Sequence, residues 1–213
     1  MEFVDVYDER MNHLGVVPKK EAHSAGLWHK SIHCWIVRQD DNGQYVVFQK
    51  RSATKSSFPN KLDISAAGHY QAGEKREDGV REIVEELGIN VDFNELLYLG
   101  VKFDIYNLPG FINREFCETF LFEDKRRLEE YPIDCDEVTG LVQINIHDGL
   151  NLFSGKVDSI EVDGLEYSIE NKNVEPIHIT VTRADFIDRI DPYYAKVFML
   201  ANWYFRGERE LFI

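Results

Sequence analysis

The segment from Gly68 to Ile89 constrains this chain more than any other. A loop that begins with glycine, Gly68-His69-Tyr70-Gln71-Ala72-Gly73-Glu74, leads after six residues into Arg81-Glu82-Ile83-Val84-Glu85-Glu86-Leu87-Gly88-Ile89. At about 100° per residue, Val80, Ile83, Val84 and Leu87 share one helical face. Glu82, Glu85 and Glu86 fall on the opposite face, within roughly 100° of arc. Gly88 follows Leu87 as a helix stop. One stripe is built for a core, and the other gathers negative charge at one place.

That gathering has a cost. Like charges at i,i+3 and i,i+4 oppose a helix by about 0.2–0.5 kcal/mol per pair. Glu85 and Glu86 also sit near the helix C-terminus, where the macrodipole disfavours anions. Arg81 offsets part of this by pairing with Glu85 one turn on. A hard divalent cation, Mg²⁺ or Mn²⁺, offsets the rest, because it prefers carboxylate oxygens and keeps waters and substrate phosphates around it. Three glutamates alone suit a solvated acidic face. The glycine loop before them and the arginine among them point to a metal site instead.

With these residues the segment resembles the signature of the Nudix hydrolases, G-x5-E-x7-R-E-U-x-E-E-x-G-U, where U is a bulky aliphatic residue. Gly68, Glu74, Arg81, Glu82, Ile83, Glu85, Glu86, Gly88 and Ile89 fill its fixed positions. One residue is missing between Glu74 and Arg81, which places the shortening at the loop or the helix entry. The resemblance implies an α+β fold, a Nudix-type α/β/α sandwich around a mixed β-sheet over about Trp28 to Ile146. A C-terminal hairpin and helix extend it over about 150–213, and residues 1–27 form an N-terminal segment of the same single domain, 1–213. It also implies hydrolysis of a diphosphate linkage in a small nucleotide-like or prenyl diphosphate metabolite. On the family pattern, Glu82, Glu85 and Glu86 are the catalytic metal ligands, Gly68 adds a backbone carbonyl, Arg81 orients the carboxylates, and Glu74 contacts the helix rather than the metal.

Composition narrows the partners. The formal net charge of −14 over 213 residues repels nucleic-acid backbones and anionic membranes. A small anionic substrate remains admissible if metal ions and local basic groups screen it. Lys50 and Arg51, at the end of a predicted strand, are the candidate phosphate contacts. No apolar run reaches the length of a membrane span, and the N-terminus lacks the regions of a signal peptide. Cys34, Cys117 and Cys135 are odd in number and show no CxxC spacing, so reduced thiols in a cytoplasmic protein are expected.

Along the chain, Phe3–Tyr7 reads as a strand, Asn12–Gly15 as a turn, and the residues to 27 as a connecting loop. Trp28–Val37 and Tyr45–Arg51 read as strands joined by the Asp40-Asp41-Asn42-Gly43 turn. Lys61–Ala67 is strand-like. Leu97–Ile105 and Arg114–Phe122 flank the Leu108-Pro109-Gly110 turn, and Cys135–Ile144 is a further strand. Asp163-Gly164 reads as the turn of a hairpin near Val157–Tyr167, an insertion or an element compatible with a homodimer. His178–Val181 reads as a strand and Tyr193–Tyr204 as the closing helix.

A second resemblance is to the isopentenyl-diphosphate isomerases, a branch of the same superfamily. Glu21-Ala22-His23, Trp28-His29 and Ser65-Ala66-Ala67-Gly68-His69 carry it. In those enzymes three histidines and two glutamates hold one metal, while a cysteine and a glutamate move protons across a double bond. His23, His29 and His69 match the histidines in order, and Glu115 falls on the proton-transfer glutamate. Asn113 stands for the other glutamate, and Ala67 for the cysteine. Alanine moves no proton, and the signature glutamates are complete, so hydrolysis is favoured. His69, His29 and Glu115 are accordingly candidate substrate-binding residues, with His23 supporting them. His13, His33, His147 and His178 are read as structural histidines. Trp28, Trp35 and Tyr70 are read as packing residues. Three functions follow: a Mg²⁺-dependent diphosphatase, an isomerase-like enzyme, or a metabolite sensor without turnover.

Overall fold

The computed structural model describes residues 1–55, 57–132, 138–168, 170–171 and 173–213. Its strands are β1 (Phe3–Tyr7), β2 (His13–Pro18), β3 (Trp28–Asp40), β4 (Gly43–Arg51), β5 (Leu62–Asp63), β6 (Ala66–His69), β7 (Leu97–Leu108), β8 (Phe111–Glu123), β9 (Val138–Asn145), β10 (Ser159–Ser168) and β11 (Asn173–Thr182). The helices are α1 (Lys19–Ala25), α2 (Val80–Leu87), α3 (Ile146–Phe153) and α4 (Tyr193–Phe205). The sheet runs β11-β10-β9-β4-β3-β1-β2, with β6 and β8 also beside β3 and β7 beside β8. The β3–β8 pair is parallel and its neighbours are antiparallel, which makes the sheet mixed.

Strand alternation explains the layers. Successive side chains of a strand point to opposite faces. Cys34 and Ile36 of β3 and Val47 of β4 join Ile83 and Leu87 of α2 in one apolar cluster. Trp35, Val37, Val46 and Phe48 join Tyr193, Val197 and Phe198 of α4 in another. The sheet is thus covered by α2 on one side and by α3 and α4 on the other, an α/β/α sandwich.

Several elements differ from the sequence reading. Residues 19–25 form α1 rather than a loop, and β2 already begins at His13. Asp163-Gly164 is not a turn but lies inside β10, paired on both sides with Gln143-Val142 and His178-Ile177. Glycine serves close approach there, since a Cβ on Gly164 would lie 2.4 Å from the Leu141 carbonyl oxygen. The hairpin is β10 with β11, and it continues the main sheet through β9. Lys61–Ala67 splits into β5 and β6. Val84 is exposed, and Glu86, placed by periodicity on the polar face, is buried. The strand expected from Cys135 is seen from Val138, and Cys135–Glu137 lie outside the described residues.

Candidate functional site

A cleft of about 740 Å³ opens beside β6. Glu82, Glu85, Glu86, Arg81 and Gly68 line it together with His23, His69, Glu115 and Arg51. The signature segment and the histidine segment, distant in sequence, therefore face one space.

β6 explains how. Among the described residues it pairs with β3 alone, through Cys34↔Ala66 to Ser31↔His69, which leaves its other edge open. The Ala67 N–H on that edge donates to Glu86 Oε2 at 2.8 Å, and Gln49 Nε2 donates to the same oxygen at 2.9 Å. Glu86 does what a neighbouring strand would do, which is why it is buried. Both bonds fall on Oε2, leaving Oε1 to the cleft that Glu86 lines. Burial pushes the Glu86 carboxyl up to about 8, and it raises Glu82 as well.

Gly68 faces Glu82. A Cβ at position 68 would lie 2.0 Å from Glu82 Cδ and from Oε2, inside any permitted contact. Gly68→Ala must therefore expel the Glu82 carboxylate from its place. A loss of turnover on the order of 10²-fold, with little change in thermal stability, is expected from steady-state kinetics and a thermal melt of that variant.

Arg81 stands among the carboxylates. Its Nε and Nη2 take Glu74 at 2.9 and 3.1 Å, Nη2 also reaches Glu82 at 2.9 Å, and Nη1 takes Glu85 at 2.8 Å. The same Nη2 donates to the His69 carbonyl at 3.2 Å, tying helix to loop. At the helix entry a 3-10 turn over Arg76–Gly79 precedes α2. Glu74 still reaches Arg81.

His23, His29 and His69 gather with ring centroids 4.7–5.2 Å apart; His23 and His69 line the cleft, and His29 is fully buried. Their ligand nitrogens lie within 4.8 Å of one another. His29 Nδ1 bonds to the Leu27 carbonyl at 2.9 Å, and its buried Nε2 has no hydrogen-bond partner; neither has His23 Nδ1. Burial, with His69 and His29 alongside, pushes His23 down to about 3, so it is neutral and able to ligate. Glu115 Oε1 lies 3.1 Å from His69 Nε2 and 3.8 Å from His29 Nε2. Burial alone would raise the Glu115 carboxyl; His69 and His29 hold it well below its usual range. Ala67, whose side chain carries no proton to transfer, also lines the cleft.

Three placements depart from the sequence reading, the first being His29, a candidate substrate contact that is fully buried and does not line the cleft. Lys50 is not among the cleft residues; its Nζ pairs with Glu166 on β10 at 2.5 Å. His33, read as structural, lines the cleft. Arg51 does line it, held by Asp63 at 3.2 Å and the Ser57 carbonyl at 3.1 Å. Lys55, a weaker phosphate candidate in the sequence, lines it too, as do Tyr106, Phe111 and Arg189, which sequence reasoning missed. Tyr106 stacks with Phe111, and Phe111 with His23 at 4.1 Å, forming the aromatic wall that Trp28, Trp35 and Tyr70 do not provide.

Comparison with known proteins agrees with this geometry. Residues 28–149 match the model of the NUDIX domain. The chain is 36% identical over 193 residues to an uncharacterized Nudix hydrolase of Clostridium acetobutylicum, covering 91% of this chain and 93% of that one. It is 30% identical over 126 residues to the isopentenyl-diphosphate Delta-isomerase of Shigella boydii, covering 58% of this chain and 66% of the isomerase. A Deinococcus radiodurans crystal structure superposes over 72% of this chain and 90% of its own, with a TM-score of 0.52 and 20% identity, a likeness of fold. Among the described residues no helix is long and apolar enough to cross a membrane. With its signature helix and loop assembled in one cleft, and its sequence matched across the domain, this chain belongs to the Nudix hydrolase family.

Proposed function

We propose that the chain hydrolyses the diphosphate linkage of a small metabolite with the help of Mg²⁺ or Mn²⁺. The observation that carries this reading is the convergence of Gly68, Glu82 and Glu86 on the open edge of β6, in a cleft that Arg51 and Lys55 also line. The donor set fits a hard cation: carboxylate oxygens of Glu82, Glu85 and Glu86 with the Gly68 carbonyl, at a position of β6 where a Cβ would meet Glu82. A cation bound there would neutralise diphosphate charge and acidify a water. The rest of the work is done by the protein. Arg81 holds Glu82 and Glu85 against the loop. Glu86 is fixed by Ala67 and Gln49, which aims Oε1 into the cleft. Arg51, fixed by Asp63 and Ser57, presents positive charge to the phosphates, and Lys55 adds to it. The Tyr106–Phe111 wall packs on the group that the diphosphate carries. Residues 1–213 act as one unit, because α4 completes the core under the cleft.

Chelation of the purified protein is expected to abolish diphosphate hydrolysis, and added Mg²⁺ to restore it. Activity that survives chelation would remove this reading.

The histidine trio beside Glu115 favours a second reading, isomerase-like chemistry on a prenyl diphosphate. It predicts migration of the double bond in isopentenyl diphosphate without loss of the diphosphate. Ala67 opposes it, since that chemistry needs a proton carrier where the alanine stands.

A further inference from the structure

A second cluster of ligand atoms in the cleft floor is left unused by diphosphate hydrolysis. One donor atom each of His33, Glu115 and Cys117 lies within 4.8 Å of the others, and all three residues are buried. Parallel pairing brings them together. β3 and β8 set His29 beside Glu115, Ser31 beside Cys117 and His33 beside Thr119. Alternation then turns His29, Ser31, His33, Glu115 and Cys117 to one face.

Each group is prepared for a ligand. Glu115 divides its oxygens, with Oε1 toward His69 and His29 and Oε2 at 3.7 Å from Cys117 Sγ. His33 Nδ1 lies 2.9 Å from the Tyr193 hydroxyl, which accepts from Trp35 Nε1 at 2.8 Å. That contact pins the ring and leaves Nε2 for another partner, the arrangement of a metal-ligating histidine held through its other nitrogen. Ser31 is 2% exposed and sits beside Cys117 in the β3–β8 pairing.

We propose that His33, Glu115 and Cys117 hold a borderline-soft divalent cation of the Zn²⁺ type, with Glu115 shared between this cation and the histidine trio. Imidazole, thiolate and carboxylate together suit Zn²⁺ and exclude Mg²⁺ as the preferred occupant. On binding, the Cys117 S–H bond breaks, the thiolate sulfur becomes the ligand, and the proton leaves to solvent through the cleft that His33 lines. The cation replaces that proton between Sγ and Glu115 Oε2. Three protein ligands leave a fourth tetrahedral position for water. This site is distinct from the glutamate helix, and the proposal stands or falls independently of hydrolysis.

Cobalt tests it without substrate. Protein stripped of metal and reloaded with Co²⁺ is expected to show a near-ultraviolet thiolate-to-cobalt charge-transfer band. The band should persist in a Cys34→Ala/Cys135→Ala double variant, which keeps Cys117 as its one thiol, and in His23→Gln. It should vanish in Cys117→Ala, with zinc content falling by about one equivalent per chain. Absence of the band from the wild-type protein, or its loss in the double variant, overturns the proposal. So does a band that survives Cys117→Ala. If Cys117→Ala does not fold, the wild-type and double-variant spectra still decide the matter.

Discussion

Glu86→Gln is expected to lower turnover by at least about 10²-fold while the fold stays intact. The local geometry explains why the two effects separate. Both hydrogen bonds that hold Glu86 fall on Oε2, from the Ala67 N–H and from Gln49. A glutamine keeps a carbonyl oxygen there and puts its amide group where Oε1 faced the cleft. The strand edge stays satisfied, and a negative ligand is lost. Glu85→Gln should cost a similar factor by a different route. Glu85 is exposed and, among the described residues, hydrogen-bonds to Arg81 alone, so that change frees one arm of the guanidinium and leaves the β6 edge untouched. Full activity in both variants, measured as initial rates at saturating Mg²⁺, would remove the metal site assigned to α2.

Arg189→Met is expected to destabilise the chain by about 3 kcal/mol. The Arg189 side chain is 6% exposed and bridges Asp63 at 2.6 Å and Asp104 at 2.5 Å. Those carboxylates sit on β5 and β7, so one guanidinium from the segment before α4 ties the cleft floor together. Removing one partner of a buried ion pair leaves a desolvated charge behind, a loss of roughly 3–5 kcal/mol. The lower end applies, because Asp63 keeps Arg51 and Asp104 keeps Lys102 at 2.8 Å. For a chain of this size the melting temperature should fall by about 6–12 °C. Arg189→Lys should recover part of it, since lysine keeps the charge and loses the fork that serves two acids at once. A melting temperature unchanged in Arg189→Met would show that the bridge adds nothing to stability.

How legible the site was in the sequence depended on the range of each interaction. The apolar stripe of α2 and the Gly88 stop are local, and both follow from spacing within nine residues or fewer. The burial of Glu86 is not local: it arises because β6 has one open edge, a fact of topology that periodicity does not contain. The Asp163-Gly164 pair carries a turn signal, yet the glycine is there for close approach of β9. α1 has only seven residues, too few to display a helical period, and so His23 stood in an expected loop. Arg189 lies 126 residues from Asp63 and 85 from Asp104, beyond any pattern in one sequence. Lys50 read as a phosphate contact because, like Arg51, it ends a strand leading toward the loop, but alternate residues of a strand face opposite sides, and its partner is Glu166. The histidine trio was visible only through resemblance; its convergence on Glu115 needed the parallel pairing of β3 with β8.

The most direct measurement is product analysis in ¹⁸O-labelled water. The purified chain is incubated with Mg²⁺ and a panel of nucleotide, coenzyme and isoprenoid diphosphates, and the products are read by mass spectrometry. The account predicts that at least one diphosphate is cleaved, with one labelled oxygen on a phosphate-containing product, and that Glu86→Gln loses this reaction. Intact diphosphate with a rearranged prenyl chain, or cleavage that Glu86→Gln performs unchanged, would contradict it.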